Sequence, residues 1–393
     1  MNADSDNRAL LPAGLHDLLP PDADHEAAVI RTLLDAFARY GYDQVRPPLV
    51  EFETGLTGNA GKTLADQMFR VMDPVSQRMM GVRADLTLQV ARIAETRLVH
   101  APRPLRLSYA DHVLQVRGSQ LRPERQFVQA GVELIGSDAI AADVEIVVLA
   151  GEALGAAGVA APSIDLNSPA IVAHILAELV LPAGETVAIR AALDHKDMAT
   201  VRQLTGRNGI GGTPTAHLLE GLIGLAGAVD ETLAGLQALA LPAAAAEEVA
   251  RLAAVVEGVR EAAPGLALTL DPVEYRGFEY QTSISFTAFA RGVRGELGRG
   301  GRYITQAGEP ATGFSLYLDS VMRAVVAPDR RPRVYLPFAT PLATARALRA
   351  ADWVAVAGLK PVDDMRAEAS RLGCSHVLDA DGAPEPVAPG EQE

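Results

Sequence analysis

The stretch YADHVLQVRGSQLRPERQFVQAGVELIG, Tyr109 to Gly136, reads as two strands joined by a basic loop that runs from Arg117 to Glu124. Side chains alternate between the faces of a strand, so Gln129 and Glu133, four residues apart, point the same way. An amide and a carboxyl on one face of a strand otherwise written for a core need partners there. Taken alone, Glu133 has the ordinary reading of a salt-bridged strand residue.

Upstream, HEAAVIRTLLDAFARY (His25 to Tyr40) places Val29, Ile30, Leu33, Leu34 and Phe37 at helical spacing, and Gly41 follows as a stop. YDQVRPPLVEF comes next, an extended segment whose Pro47 and Pro48 forbid a central ladder position and point to an edge or an interface. VSQRMMGVRADLTLQVARIAETRL then predicts a strand, a turn and a helix starting near Thr87, whose hydroxyl is expected to cap it. Antiparallel strands with helices against them make an α+β unit rather than a βαβ repeat.

Downstream, Ala, Leu, Val and Glu in helical patterns predict a helical insertion over about 165–263. Strand character returns with LALTLDPVEYRGFEYQTSISFTAF, a glycine-rich turn GELGRGGRY and ATGFSLYLDSVMRAVV, which close a core spanning 1–327. The polar linker APDRRPR leads into a small α/β segment, 333–381, and the tail 382–393 is expected to be disordered.

Bulk properties exclude several classes. Thirty-five Lys and Arg stand against 49 Asp and Glu, a formal balance of −14, so the average surface field repels phosphate backbones. Cys374 is the only cysteine, which excludes a disulfide framework and a Cys-based zinc cluster and fits a reducing compartment. The start MNADSDNRALLPAG lacks a basic region followed by an apolar run, and no uninterrupted apolar stretch of about 18 residues occurs. A cytoplasmic protein without a membrane anchor is expected. The eight histidines are scattered, none at metal-ligand spacing, and His195 in LDHKD has the ordinary reading of a solvated helix start. GELGRGGRY lacks the Lys-Ser/Thr end of a phosphate loop. No metal or cofactor is expected.

What remains is polar residues on core-like segments: Asp85 and Thr87 at a helix entrance, Gln129 and Glu133 on one strand face, Arg276 and Tyr280 at a turn-strand junction. Each singly has a bland explanation, Asp85 as a cap and Arg276 as a surface residue. Together they are the inventory that holds a zwitterionic amino acid, acids for the ammonium and a guanidinium for the carboxylate.

From LPAGLHDLLP to ATGFSLYLDSVMR the chain resembles the catalytic core of histidyl-tRNA synthetase, a class II synthetase. FARYGYDQVRPPLVE is similar to the first class II motif, which implies a homodimer interface around Arg46–Phe52. RADLTLQVAR resembles the segment that holds the substrate ammonium, EYRGFEYQ the histidine-specific segment, and GGRYITQAGEPATGFSLYLDS the third motif. The resemblance implies that Asp85, Thr87 and Gln129 hold the ammonium, that Arg276 pairs with the carboxylate, and that Glu133 and Tyr303 face the imidazole. Tyr280 belongs to the same set, and Gln281 stands where a second tyrosine is expected.

The departures from that family are informative. The ATP-binding arginine of the second motif falls on Gln115, its acidic partner on Arg117, and the arginine of the third motif on Ser320. Each lost arginine would contact the triphosphate, and its loss removes several kcal/mol of transition-state stabilisation. The segment after Arg333 is too short for the anticodon-binding domain of a synthetase, and the net charge disfavours tRNA. This pattern resembles a paralogous family, the regulatory subunits of ATP phosphoribosyltransferase. That resemblance implies a chain that is not itself an enzyme, senses L-histidine, and joins a short catalytic subunit in a hetero-octamer at the first step of histidine biosynthesis. A histidyl-tRNA synthetase and another synthetase-like amino-acid sensor remain as alternatives.

Overall fold

The computed structural model describes residues 10–57, 61–119, 122–179, 181–274 and 281–387. The chain divides into two compact units, Met1–Val326 and Ala327–Glu393. The strands of the first are β1 (Asp43–Gln44), β2 (Val50–Phe52), β3 (Phe69–Met72), β4 (Met79–Val82), β5 (Leu105–Leu114), β6 (Gln126–Ile135), β7 (Pro162–Asn167), β8 (Gly227–Ala228), β9 (Ala267–Leu270), β10 (Gln281–Ala290), β11 (Gly298–Ile304) and β12 (Pro310–Tyr317). Nine of them form one sheet in the order β1-β5-β6-β12-β11-β10-β7-β9-β8, and β2-β4-β3 form a small second one. The α+β expectation holds, with one refinement. The large sheet is mixed, because β1 runs parallel to β5 and β9 parallel to β7, whereas β5, β6, β12, β11 and β10 are antiparallel neighbours.

The alternation in β6 sets the layering. Val128, Ala130, Val132 and Leu134 join one apolar cluster with Leu33, Phe37, Ile146, Leu149 and Phe314, beneath the helices Asp22–Arg39 and Ile140–Ala156. Phe37 meets Phe314 edge-on at 5.6 Å, a favoured aromatic geometry. Phe127 and Ile135 belong to a second cluster on the opposite face, with Leu86, Val90, Tyr109, Tyr303 and Tyr317, where the helix Thr87–Thr96 lies. Gln129 and Glu133 point to this second face.

Two buried arginines tie the periphery to the sheet. Arg83, 1% exposed, pairs with Asp111 at 2.8 Å and donates to His112 O at 2.6 Å and Pro47 O at 3.0 Å. The proline segment is thus held through a carbonyl that no ladder uses. Arg302 on β11 pairs with Asp143 at 2.8 Å, and Arg251 reaches the same carboxylate at 2.9 Å from the helix Ala243–Ala262.

That helix ends the insertion, which the structure starts after β7 rather than at residue 165. Pro162–Asn167 pairs with β10 on one side and β9 on the other, so it belongs to the sheet. His195 closes the helix Ala183–Asp194 and does not open one; the following helix is capped by Asp197, which accepts from Thr200 N at 3.0 Å.

The second unit is a four-stranded sheet in the order β14-β13-β15-β16, built from β13 (Arg333–Leu336), β14 (Val354–Ala357), β15 (His376–Leu378) and β16 (Pro384–Pro386). It carries the helices Leu342–Ala350 and Met365–Arg371. Cys374 is buried among Tyr335, Ala369 and Val377, and burial pushes its thiol up, away from the reactive thiolate. The expected disordered tail is partly ordered. Pro384–Pro386 runs antiparallel to β15 and covers its otherwise open backbone edge, and only 388–393 lie outside the described residues. Among the described residues no helix is long and apolar enough to cross a membrane.

Replacing Asp143 with alanine strands the guanidinium of Arg302, whose side chain is only 5% exposed. Breaking a buried pair in this way costs about 3–5 kcal/mol, so the urea midpoint should fall clearly. Asp230→Ala, which breaks an exposed pair with Arg260, should leave it nearly unchanged. Equal shifts would show that the Asp143 group does not hold the sheet to its helices.

Candidate functional site

Strand register assembles the site. Glu133 on β6 lies opposite Gly313 on β12, Gly131 opposite Ser315, and Gln129 opposite Tyr317. One strand further, Gly301 on β11 faces Gly313, Arg299 faces Ser315 and Tyr303 faces Ala311. On the other side Tyr109 of β5 faces Gly131. Directly opposed residues share a face, so these side chains converge on one patch of the second face. Of these, Glu133, Arg299, Gly301, Tyr303, Gly313, Ser315 and Tyr317 line a small pocket together with Asp85 and Thr87 from the helix entrance.

The polar groups are linked. Gln129 accepts from Leu86 N at 3.0 Å and donates to Asp85 Oδ2 at 2.8 Å and Ser315 Oγ at 2.6 Å. The Tyr109 hydroxyl lies 2.8 Å from Ser315 Oγ and 3.3 Å from Thr87 Oγ1, and donates to Glu133 Oε1 at 3.1 Å. Tyr303 donates to the other Glu133 oxygen at 2.9 Å. The glycine floor is what leaves room for this. A Cβ on Gly313 would overlap Glu133 Oε2, and one on Gly131 would sit 2.7 Å from the Tyr109 hydroxyl.

The expected cap at Thr87 is replaced by another. Thr87 is the first residue of its helix and its hydroxyl turns toward Tyr109, while Asp85 Oδ1 accepts from Thr87 N at 2.8 Å. A carboxylate two residues ahead satisfies a free helical N–H as well as the hydroxyl would, and favours the positive end of the helix dipole.

Electrostatically the pocket is short of positive charge beside its acids. Glu133 is 1% exposed, and burial pushes its carboxyl up to about 8, against the pull of Tyr303 and Thr87, with Asp85 adding a further push. Asp85 is raised as well, by burial, against the bonds from Gln129 and Thr87. Burial and then the nearby Glu133 and Asp85 carboxyls hold the Tyr109 phenol well above its ordinary value. Two carboxyls in such a setting favour a cationic group that can neutralise them.

Of the residues expected from sequence, the structure brings Asp85, Thr87, Glu133, Gln281 and Tyr303 to the pocket wall, with Gln129 bonded directly behind Asp85. Gln281 gives its amide to Gly300 O at 3.0 Å. Arg276 and Tyr280 lie outside the described residues. Sequence reading missed Tyr109, Ser315 and Arg299. The period-two series Gly313, Ser315, Tyr317 was the available signal, but it becomes informative only once β12 is placed against β6. Among the described residues no cluster of His, Cys, Asp and Glu could hold a metal ion.

The positions that depart from the synthetase motifs are occupied by inward-bonded groups. Gln115 donates to Ala84 O at 3.4 Å, and the buried Ser320 accepts from Arg323 at 2.9 Å. Arg122 lays its guanidinium 3.8 Å from the centre of the Tyr317 ring and 4.7 Å from that of Phe127, a cation–π arrangement.

Residues 14–321 match the family model described as histidyl-tRNA synthetase. A curated relative from Paramagnetospirillum magneticum, named ATP phosphoribosyltransferase regulatory subunit, is 54% identical over 379 residues, covering 96% of this chain and 98% of its own. A crystal structure from Bacillus halodurans, described as an ATP phosphoribosyltransferase regulatory subunit/histidyl-tRNA synthetase, superposes with a TM-score of 0.82 at 22% identity, covering 92% of this chain and 96% of that one. A chain of the ATP phosphoribosyl transferase (HisG:HisZ) complex from Thermotoga maritima superposes with a TM-score of 0.58 at 17% identity, covering 75% of this chain and 97% of that one.

The raised carboxyl of Glu133 makes stability depend on pH with a definite sign. Between the ordinary value of 4.5 and about 8 the folded chain keeps a proton that the unfolded chain has released. This contribution is therefore full below 4.5 and is lost as pH rises through 8. At about 1.4 kcal/mol per unit the limit is on the order of 5 kcal/mol. Glu133→Gln should gain stability relative to the parent as pH rises from 5 to 9 in thermal melts. Parallel curves would mean that the carboxyl is ionised throughout.

Proposed function

Because the chain belongs to the ATP phosphoribosyltransferase regulatory subunit family, we propose that it binds L-histidine in the Glu133 pocket and carries feedback inhibition to a short catalytic subunit, whose activity depends on the complex. The single observation that carries the ligand reading is the buried Glu133 carboxyl, bonded by Tyr109 and Tyr303 at the wall of a small polar pocket. An ionisable acceptor in a pocket wall favours a polar N–H-bearing side chain over an apolar one, since each carboxyl oxygen keeps a further acceptor site after taking a tyrosine hydroxyl. Asp85 and Thr87 supply oxygen acceptors for the ammonium, and Gln129 holds the Asp85 carboxyl in place for it.

A role without adenylate chemistry accords with Gln115 and Ser320, neither of which can neutralise a triphosphate, and with the charge of −14, which disfavours tRNA. The homodimer interface is assigned to Arg46–Phe52. In support, Leu49 and Phe52 are exposed, the neighbouring small sheet exposes Val71, Met72 and Met79, and Arg78 stacks on Phe52 at 3.7 Å. An apolar patch of this kind marks an interaction surface. Dimers of this chain joined to catalytic chains build the proposed hetero-octamer, which works in the cytoplasm.

Two measurements bear on this reading. The purified chain should show no histidine-dependent exchange of pyrophosphate into ATP above background, and robust exchange would return the chain to the synthetases. In the assembled complex, Glu133→Gln should weaken histidine binding by about 10- to 150-fold, the loss expected for one charged hydrogen bond. The inhibition midpoint must move with it, because coupling is reciprocal. An unchanged midpoint would place the effector site elsewhere.

A further inference from the structure

We infer that Arg299, which no sequence motif singled out, binds the ligand carboxylate and makes the pocket select amino acids over the corresponding amines. This rests on the reading of the pocket as a histidine site and adds a specificity residue to it.

Arg299 lies on β11 with Ser315 opposite on β12 and Thr287 opposite on β10, so its side chain leaves the sheet on the pocket face. Ser315 is the hydroxyl that bridges Gln129 and Tyr109. The guanidinium thus starts one strand from that network and two strands, roughly 10 Å, from β6. Among the described residues it is the only cation lining the pocket, against the acids Asp85 and Glu133. A wall with acids on β6 and the helix entrance and a guanidinium on β11 is complementary to a zwitterion.

The side chain is oriented in advance. Glu296, three residues earlier, accepts from Arg299 Nη2 at 2.6 Å, and the arginine side chain is only 21% exposed. An anchored planar fork loses little freedom when it takes up a carboxylate. Gly301, on the same strand face as Arg299, keeps the adjoining wall free of a side chain. Arg276, to which the family resemblance gives the carboxylate, lies outside the described residues; Arg299 is a second guanidinium argued from its own position.

The alternative is that Arg299 only braces its turn through Glu296. Titration calorimetry of the full chain with histidine and with histamine, which keeps the imidazole and the ammonium and lacks the carboxylate, separates the two. The parent should prefer histidine. Arg299→Met should lose about 10- to 150-fold in histidine affinity while histamine affinity changes by no more than about twofold, which collapses the ratio. Arg299→Lys, which keeps the charge without the fork, should fall between them, and it carries the test if the methionine variant fails to fold. A histidine-to-histamine ratio that is the same in parent and variants, or a parent that does not prefer histidine, overturns the carboxylate role and leaves the histidine pocket standing. A parent that binds histidine no better than leucine overturns the pocket reading and this inference with it.

Discussion

A carboxyl removed from water must be bonded by the protein that buries it, and at Glu133 the bonds come from strands on both sides of its own. Tyr109 reaches it from β5, the neighbour on one side, and Tyr303 from β11, two strands away on the other. A single side chain therefore ties β5, β6 and β11 together across β12. A slip of one residue in β5 or β11 would turn its tyrosine to the opposite face and leave the carboxyl unsatisfied. The same demand explains the small residues between the tyrosines, since Gly131 and Gly313 occupy the positions where any side chain would collide with the bonded groups.

The segment from Arg83 to Thr87 shows how scaffold and site share a few residues. Arg83 reaches outward, holding Pro47 and Asp111. Asp85 reaches inward, capping the helix with one oxygen and taking the Gln129 amide with the other. Arg83, which holds the proline segment, and Asp85, on the pocket wall, are thus two residues apart on one short turn.

The fold needs no charged side chain at positions 115 and 320, where Gln115 and Ser320 stand. The layers are held by alternating apolar residues in β6 and β12, by Phe37 against Phe314, and by the Asp143 ion group. Gln115 and Ser320 find partners within the protein, so neither leaves a buried polar group without a bond.

Local pattern was enough to reveal the first helix, the strand pair around Tyr109–Gly136, the helical insertion and the shared face of Gln129 and Glu133, because periodicity is a property of neighbouring residues. The same reading picked out Asp85 and Thr87 at a helix entrance, and matching motifs added Tyr303. Tertiary structure decided the rest. That Asp85 rather than Thr87 caps the helix depends on where Tyr109 draws the hydroxyl. That Pro162–Asn167 belongs to the sheet, and that Pro384–Pro386 is a strand at all, depends on partners distant in sequence. Tyr109, Ser315 and Arg299 became site residues only through register, since each comes from a different strand and none carries a local signal. The raised carboxyl of Glu133 is likewise invisible in sequence, because it arises from the depth at which the assembled sheet and helix bury an otherwise ordinary glutamate.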